Sequence, residues 1–210
     1  LLLDGNSRAM AMGGAYTALA YDANALLYNP AGLARVAGYQ ATVMHNSYIQ
    51  GLSQDYFAVA TKQGLGLSVN HLKFGDIPRT TIAKPDGNGT RYEISDLAIS
   101  GGYGRTVFNS LSLGLGVKYI RESIDTIQAK GYALDIGALY SVAQLPGLTV
   151  GGSVLNIGPD VLYQKQTQKL PINFRAGASY VFSVLGNDNA ISADAMKTRT
   201  DRLRYALGAE

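Results

Sequence analysis

From about residue 38 onward, apolar and polar positions alternate with a period of two, which predicts β-strands. Three runs show this alternation most clearly. They are Leu111, Leu113, Leu115, Val117 and Tyr119 with Ser112, Gly114, Gly116 and Lys118 between them; Tyr132, Leu134, Ile136, Ala138, Tyr140 and Val142 with Ala133, Asp135, Gly137 and Ser141; and Ile172, Phe174, Ala176, Ala178, Tyr180 and Phe182 with Asn173, Arg175, Gly177 and Ser179. All are longer than an average soluble strand of about 5–6 residues, and their length suits a tilted membrane-spanning strand.

The whole pattern predicts about ten antiparallel strands. They lie near 38–49, 54–62, 65–75, 93–106, 110–123, 129–142, 147–157, 171–184, 189–197 and 202–210. Their connections alternate between tight turns (63–64, 108–109, 144–147 and 185–189) and longer polar loops (76–92, 124–128, 158–170 and 198–201). Short turns at one rim and long loops at the other are typical of an outer-membrane barrel. On that interpretation, loops 76–92 and 158–170 face the outside of the cell.

Alternation alone does not say which face of the strands lies inside a barrel. The polar face consists mostly of Gly, Ser, Ala and Asn with single charges, which would make a poor solvated surface. Tyrosines lie near the strand ends on the apolar face, as an interfacial girdle requires: Tyr103, Tyr119, Tyr132, Tyr140 and Tyr180. We therefore predict an all-β transmembrane up-and-down barrel. A soluble ligand-binding barrel, with its bulky residues inside, is the alternative.

The first 37 residues differ from the strands, because they are rich in small residues and show short helical patterns. Ser7 or Asn6 can cap a helix over Ala9–Ala20, and Asp22 can cap a turn over 23–27. Asn29 can cap a third turn that begins with Pro30. We predict that residues 1–37 form a helical plug in the lumen and that residues 38–210 form the barrel strands.

Composition narrows the choice of function. Only 16% of the 210 residues are charged, against about 25% in an average soluble domain. The net charge of +3 without a Lys/Arg run gives no reason to expect nucleic acid, and the absence of cysteine excludes disulfides and thiol chemistry. The chain starts without Met and ends within a strand pattern, so we expect both ends to be truncated.

Few side chains suggest chemistry. Lys118, Asp135, Arg175 and Asp194 fall on the small, polar strand face, where we expect charge pairs that join plug and barrel; an ion or ligand path is the alternative. His45 and His71 are too few for a metal site. No Gly-x-Ser-x-Gly motif is present. We predict neither an enzyme nor a bound metal or cofactor.

The N-terminal segment resembles the PorV/PorQ family of outer-membrane proteins, within the FadL-like superfamily. The residues that carry the resemblance are Arg8, Met12-Gly13-Gly14-Ala15, Ala18, Asp22, Asn24-Ala25 and, most specifically, Tyr28-Asn29-Pro30-Ala31-Gly32-Leu33. The closing Leu207-Gly208-Ala209-Glu210 also resembles a family strand motif. The strands in between resemble the family mainly in their pattern.

The resemblance implies a fourteen-stranded barrel in the outer membrane of a Gram-negative-type bacterium, with about four strands expected after Glu210. It gives a structural plug role to Arg8, Gly13, Gly14, Asp22, Asn24, Asn29, Pro30, Ala31 and Gly32. The implied function is type IX protein secretion or cargo attachment at the cell surface, with outer-membrane lipid, secretion components and secreted cargo as partners. FadL-like transport of long-chain fatty acids or other hydrophobic solutes is the alternative.

Overall fold

A computed structural model of the chain describes residues 3–87, 89–163, 166–184, 186–199 and 201–210. Its strands are β1 (Gln40–Ser47), β2 (Ser53–Ala60), β3 (Leu65–Pro78), β4 (Arg91–Phe108), β5 (Leu111–Ile124), β6 (Ile127–Ser141), β7 (Leu148–Ile157), β8 (Val161–Tyr163), β9 (Gln166–Gln168), β10 (Asn173–Val184), β11 (Asn187–Thr198) and β12 (Arg204–Ala209).

Ten of these strands form one antiparallel sheet in the order of the sequence, β1 through β7 followed by β10, β11 and β12. The remaining two, β8 and β9, pair with each other in the connection between β7 and β10. β1 and β12 are the two ends of the sheet, so the sheet is not closed within the described residues. The prediction of an all-β, up-and-down antiparallel fold is therefore confirmed.

The strand bounds lie within three residues of those predicted, but one loop prediction is wrong. The connection predicted at 124–128 shrinks to the two residues between Ile124 and Ile127, which pair directly. Asp125 adopts a left-handed φ of 56° there, a conformation that Asp tolerates better than most residues. The predicted loop 158–170 contains the β8–β9 hairpin. Positions 88, 164, 165, 185 and 200, which fall in predicted loops and turns, lie outside the described residues.

The two faces of the sheet differ sharply in character. On the outer face, bulky apolar side chains are exposed, as Leu115 (58%) and Val117 (64%) illustrate. On the inner face, the alternate residues of the same strands are small or polar and buried, including Lys118 (7% exposed) and Asp135 (0%). This arrangement is the reverse of a soluble barrel, in which the bulky residues would fill the interior.

The N-terminal segment (residues 3–37) covers the inner face. It contains α1 (Ser7–Ala11), α2 (Ala25–Tyr28) and a 3-10 helix (Pro30–Arg35). The predicted helix over Ala9–Ala20 is wrong, because α1 ends at Ala11 and is followed by Gly13 and Gly14 with φ of +62° and +86°. Left-handed backbone conformations of this kind end a helix.

The predicted caps of these short helices have mixed outcomes. The Asn6 side chain accepts a hydrogen bond from Arg8 N, and the Asn29 side chain accepts one from Ala31 N at the start of the 3-10 helix. The second turn begins later than predicted, at Ala25, and Asn24 occupies its capping position without a side-chain bond. Asp22 instead accepts a hydrogen bond from Asn24 N. Asn29 and Pro30 therefore occupy the predicted N-cap and first helical positions.

Glycines on the inner face allow the N-terminal segment to lie directly on the sheet backbone. A Cβ at Gly114 of β5 would collide with the backbone of Pro30 and Ala31, and a Cβ at Gly137 of β6 would collide with the Asn29 side chain. Nearer the long loops, the inner face is covered instead by Val161 and Leu170, which pack in a cluster with Ile120. The inner face thus has no room for larger side chains beneath the 3-10 helix.

The glycine contacts predict a position-specific cost of adding one methyl group. Gly114→Ala should lower the free energy of unfolding by about 1–3 kcal/mol, because the added Cβ meets backbone atoms that cannot rotate away. Gly101→Ala in β4 is the matched control, since nothing lies within 4 Å of a Cβ there. Urea titrations of both variants provide the measurement, and equal stabilities would contradict the close approach.

Candidate functional site

Several hydrogen bonds between the N-terminal segment and the sheet centre on a buried ion pair. Arg175 in β10 and Asp194 in β11 lie with Nη2 3.1 Å from Oδ2, and both residues are buried. The same carboxylate oxygen accepts hydrogen bonds from the backbone nitrogens of Tyr16 (3.1 Å) and Thr17 (2.9 Å). The Thr17 hydroxyl donates a third bond to it, at 2.5 Å. Asp194 therefore fixes the turn at residues 16–17 to the sheet.

Arg175 reaches the segment through the rest of its guanidinium group. Its Nε donates to Thr17 Oγ1 at 2.8 Å, and its Nη2 donates to the carbonyl of Gly14 at 2.8 Å. The guanidinium also lies over the Tyr28 ring, with Cζ 5.2 Å from the centroid, a cation–π arrangement. The hydrogen bonds to Asp194 all converge on Oδ2, and Oδ1 is buried without a partner. The pairing with Arg175 offsets part of the cost of burying both charges.

The second pair of charges lies within the sheet. Lys118 Nζ is 3.1 Å from Asp135 Oδ2 and donates to Asn156 Oδ1 at 2.6 Å. The backbone nitrogen of Asn156 donates to Asp135 Oδ1, also at 2.6 Å. Asn156 has a left-handed φ of 62° at the end of β7, so this charge pair holds a strained position. These contacts join strands to one another and not to the N-terminal segment.

The structure thus brings the four predicted charges together as two pairs, Arg175 with Asp194 and Lys118 with Asp135. Only the first pair hydrogen-bonds the N-terminal segment. Between the pairs lies a cavity of about 30 Å³, lined by Lys118, Arg175, Asn156, Asn173 and Tyr28 among others. Its size is sufficient for ordered water.

Asn29 makes three hydrogen bonds from the turn that precedes the 3-10 helix. Its Nδ2 donates to the carbonyls of Thr17 and Ala138, each at 3.1 Å, while its Oδ1 accepts from Ala31 N. The side chain therefore joins two parts of the segment to β6. Gly32 is required at its position because a Cβ there would overlap the carbonyl of Ala20. Pro30 and Ala31 are both buried.

The other predicted plug residues form a network near the segment's start. Arg8 pairs with Glu210 after β12 and donates to Tyr16 Oη at 3.1 Å, which in turn donates to Asp22 at 2.6 Å. Burial, with help from Asp22, raises the pKa of Tyr16, so its phenol remains the donor. The hydrogen bond from Arg8 lowers the pKa of Glu210. Gly13 and Gly14 form the bend between α1 and this network.

Several polar residues of the N-terminal segment and the inner face were not predicted from the sequence. Thr17 and Asn156, described above, are two of them, and Arg35 is another. Arg35 lies at the end of the 3-10 helix and donates to Ser112 Oγ (3.2 Å) and Leu139 O (3.3 Å). Its burial lowers the pKa of its guanidinium. A charged residue inside an otherwise small, apolar segment is the signal that could have identified it.

The cavities between the N-terminal segment and the sheet differ in volume along the strands. At the turn-side rim, a cavity of about 510 Å³ lies between Tyr21, Arg35 and the β6–β7 turn. Deeper, the cavities shrink to about 30 Å³ and, beside Leu3, to about 10 Å³. A groove of about 820 Å³ lies on the outer face, where Leu115, Ile136 and Phe174 line it. The inner contact is therefore tight below its turn-side entrance.

The two histidines lie on the outer face, away from this contact. His45 Nδ1 is 2.7 Å from Asp55 Oδ1 on the neighbouring strand, and His71 lies opposite Asp55 on the next strand along. Within the described residues, no group of three or more His, Cys, Asp and Glu side chains is placed to hold a metal ion. In the same part of the chain, no helix is long and apolar enough to cross a membrane.

Comparisons with known proteins add one structural similarity. No protein-family model matches the chain, and no curated protein matches it. A solved structure described as outer-membrane expressed OmpT of Vibrio cholerae is similar over 83% of this chain and 61% of its own, with 9% sequence identity and a TM-score of 0.43. The chain therefore covers less than two thirds of that structure.

The buried ion pair predicts a large effect of removing one charge. Arg175→Met should lower the free energy of unfolding by about 3–5 kcal/mol, because Asp194 would remain buried without its cation. It should also make residues 3–20 accessible to limited proteolysis. Arg79→Met is the control, since it breaks an exposed pair with Asp125 that should contribute at most about 1 kcal/mol. Similar losses in both variants would refute the anchoring role of Arg175.

Proposed function

We propose that the chain forms the wall of an outer-membrane β-barrel, with residues 3–37 as a plug against its inner face. One observation carries the proposal: the sheet exposes its bulky apolar side chains and buries its small and polar ones. In water, such a continuous apolar surface would promote association. In a bilayer it is the expected lipid-facing surface.

The dimensions of the apolar face support this placement. Along β5, the outward residues from Leu111 to Tyr119 are all apolar or aromatic. Eight residues at about 3.4 Å each extend about 27 Å, and a strand tilt of about 40° reduces this to a height of about 21 Å. Apolar bands of outer-membrane barrels are about 25 Å tall. Arg121 follows two residues later and begins the polar rim.

The contacts of the N-terminal segment support a plug that stays in place. Asn29, Arg175 and Asp194 join it to the strands by buried bonds, and the cavities below the turn-side entrance are small. A transporter of hydrophobic solutes would need a continuous apolar path beside the plug. The occluded contact favours a role at the cell surface, and the resemblance to PorV/PorQ proteins specifies it as type IX secretion or cargo attachment.

The candidate surface for secreted cargo is the rim of long connections. The connection from β3 to β4 and the connection from β7 to β10 begin and end at the same end of the sheet, opposite the tight turns at 61–64 and 109–110. Outer-membrane barrels carry their longer loops on the extracellular side. On this proposal the long-loop rim meets cargo or other secretion components, and lipid surrounds the outer face.

Membrane placement predicts a depth-dependent cost of charge on the outer face. Leu115 is 58% exposed and lies in the middle of the apolar run of β5. Leu115→Arg should lower the free energy of unfolding in phospholipid vesicles by about 2–4 kcal/mol, whereas Ser123→Arg at the polar rim should cost at most about 1 kcal/mol. Equal costs at the two positions would refute a lipid-facing surface.

The role at the surface can be separated from solute transport in cells of the native host. Deleting residues 162–167 keeps Val161 and Leu170, which pack on the inner face, and shortening 79–90 to a tight turn removes the second loop. We expect attachment of secreted proteins at the surface to fall while uptake of long-chain fatty acids is unchanged. Shortening the turn-side connection 143–146 is the control. A loss of fatty-acid uptake with normal attachment would favour transport instead.

A further inference from the structure

The outer face carries a line of polar residues where the apolar band ends towards the long loops. Directly opposed positions on successive strands place His45, Asp55, His71, Arg121 and Lys130 in this line, with the apolar Leu97 between His71 and Arg121. Two residues nearer the middle of the strands, the corresponding line is Val43, Phe57, Val69, Ile99, Tyr119 and Tyr132. On every one of these strands except β4, the change from apolar to polar residues therefore occurs between these two lines.

Two cations face each other in this polar line. Arg121 in β5 and Lys130 in β6 are directly opposed and both are exposed. Directly opposed residues in an antiparallel pair have Cβ atoms about 4.5–5.5 Å apart, so like charges there are destabilising. Within the described part of the chain, neither side chain forms an ion pair or hydrogen bond. The pair therefore lacks the anion that would neutralise it.

An aromatic pair lies directly beneath these cations. Tyr119 and Tyr132 are opposed in the same two strands, with ring centroids 5.4 Å apart, and Tyr132 is 67% exposed. Tyrosines of this kind lie at the level of lipid headgroups. Lys73, exposed on β3, is a further cation one step nearer the loops, and β4 separates it from Arg121. From the middle of the strands towards the long loops, the outer face is therefore first apolar, then aromatic at Tyr119 and Tyr132, and then cationic at Arg121 and Lys130.

We propose that Arg121 and Lys130 form a binding site for the phosphate group of a membrane lipid, whose acyl chains lie along the apolar residues below Tyr119 and Tyr132. Arg can contact phosphate oxygens with two parallel N–H donors, and Lys adds a compact charge. A lipid fits better than a soluble anion, because the aromatic and apolar residues continue the site in the direction of acyl chains. The inference rests on the proposed membrane placement.

The chain contains no tryptophan, so Tyr132→Trp introduces a unique fluorescent reporter beside the site. The protein is inserted into phosphatidylcholine vesicles that contain either brominated phosphatidic acid or brominated phosphatidylcholine. We expect the brominated acidic lipid to quench the reporter at a mole fraction about fivefold lower than the brominated neutral lipid does. This factor is the preference that about one cation gives for an anionic lipid at a membrane surface. High salt should reduce this preference.

Removing the two cations should abolish the preference and leave insertion intact. Arg121→Gln combined with Lys130→Gln is compared with Lys62→Gln combined with Arg105→Gln, which removes two exposed cations nearer the tight-turn rim. Lys130→Glu is a further variant, because it places a carboxylate opposite Arg121 and should lose the preference without loss of stability.

The outcomes separate this site from the membrane placement itself. Quenching by the neutral brominated lipid in every variant shows that position 132 lies in the bilayer. If the parent protein shows that quenching but no acidic preference, or if the double Gln variant keeps the preference, the site is overturned. If inorganic phosphate removes the preference, the site takes a free anion and the lipid assignment is wrong. No quenching by either lipid would refute the membrane placement, and with it this inference.

Discussion

The structure depends on the close approach of the Asn29-Pro30-Ala31 turn to glycines of β5 and β6. Gly114 and Gly137 leave no side chain between this turn and the sheet backbone, so the Asn29 amide can reach the carbonyl of Ala138. Larger side chains at these glycines would displace the turn. Because the inner face is filled in this way, the bulky residues of the same strands must face outward. The composition of the two faces and the position of the N-terminal segment therefore depend on each other.

Strands were the part of the fold most readily predicted from the sequence. The period of two places each residue on one of two faces, and it located the ten sheet strands to within three residues. The N-terminal helix was harder, because the helical pattern of residues 9–20 conceals the left-handed conformations of Gly13 and Gly14. The short connection at Asp125 was missed for a related reason, since polar residues that resemble a loop also form a two-residue turn.

The sequence predicted which face of the sheet carries the four charged residues, but it did not predict which of them pair with each other. Alternation placed Lys118, Asp135, Arg175 and Asp194 on one side of the sheet, but partners depend on the register between neighbouring strands and on the path of the N-terminal segment. Arg175 lies opposite Met196 and reaches Asp194 diagonally. Thr17 carries no motif of its own, and it became part of the site only because the segment turns there towards the same carboxylate.

The proposed role follows from this separation of faces. The outer face exposes apolar side chains that would suit lipid, and the N-terminal segment covers the inner face. The most direct test is a spin-label scan of β5 from position 111 to 119 in phospholipid vesicles, one cysteine at a time, in a chain that has no native cysteine. The account predicts that oxygen accessibility alternates, high at 111, 113, 115, 117 and 119 and low at the positions between them. High accessibility at the even-numbered positions, or no alternation, would contradict it.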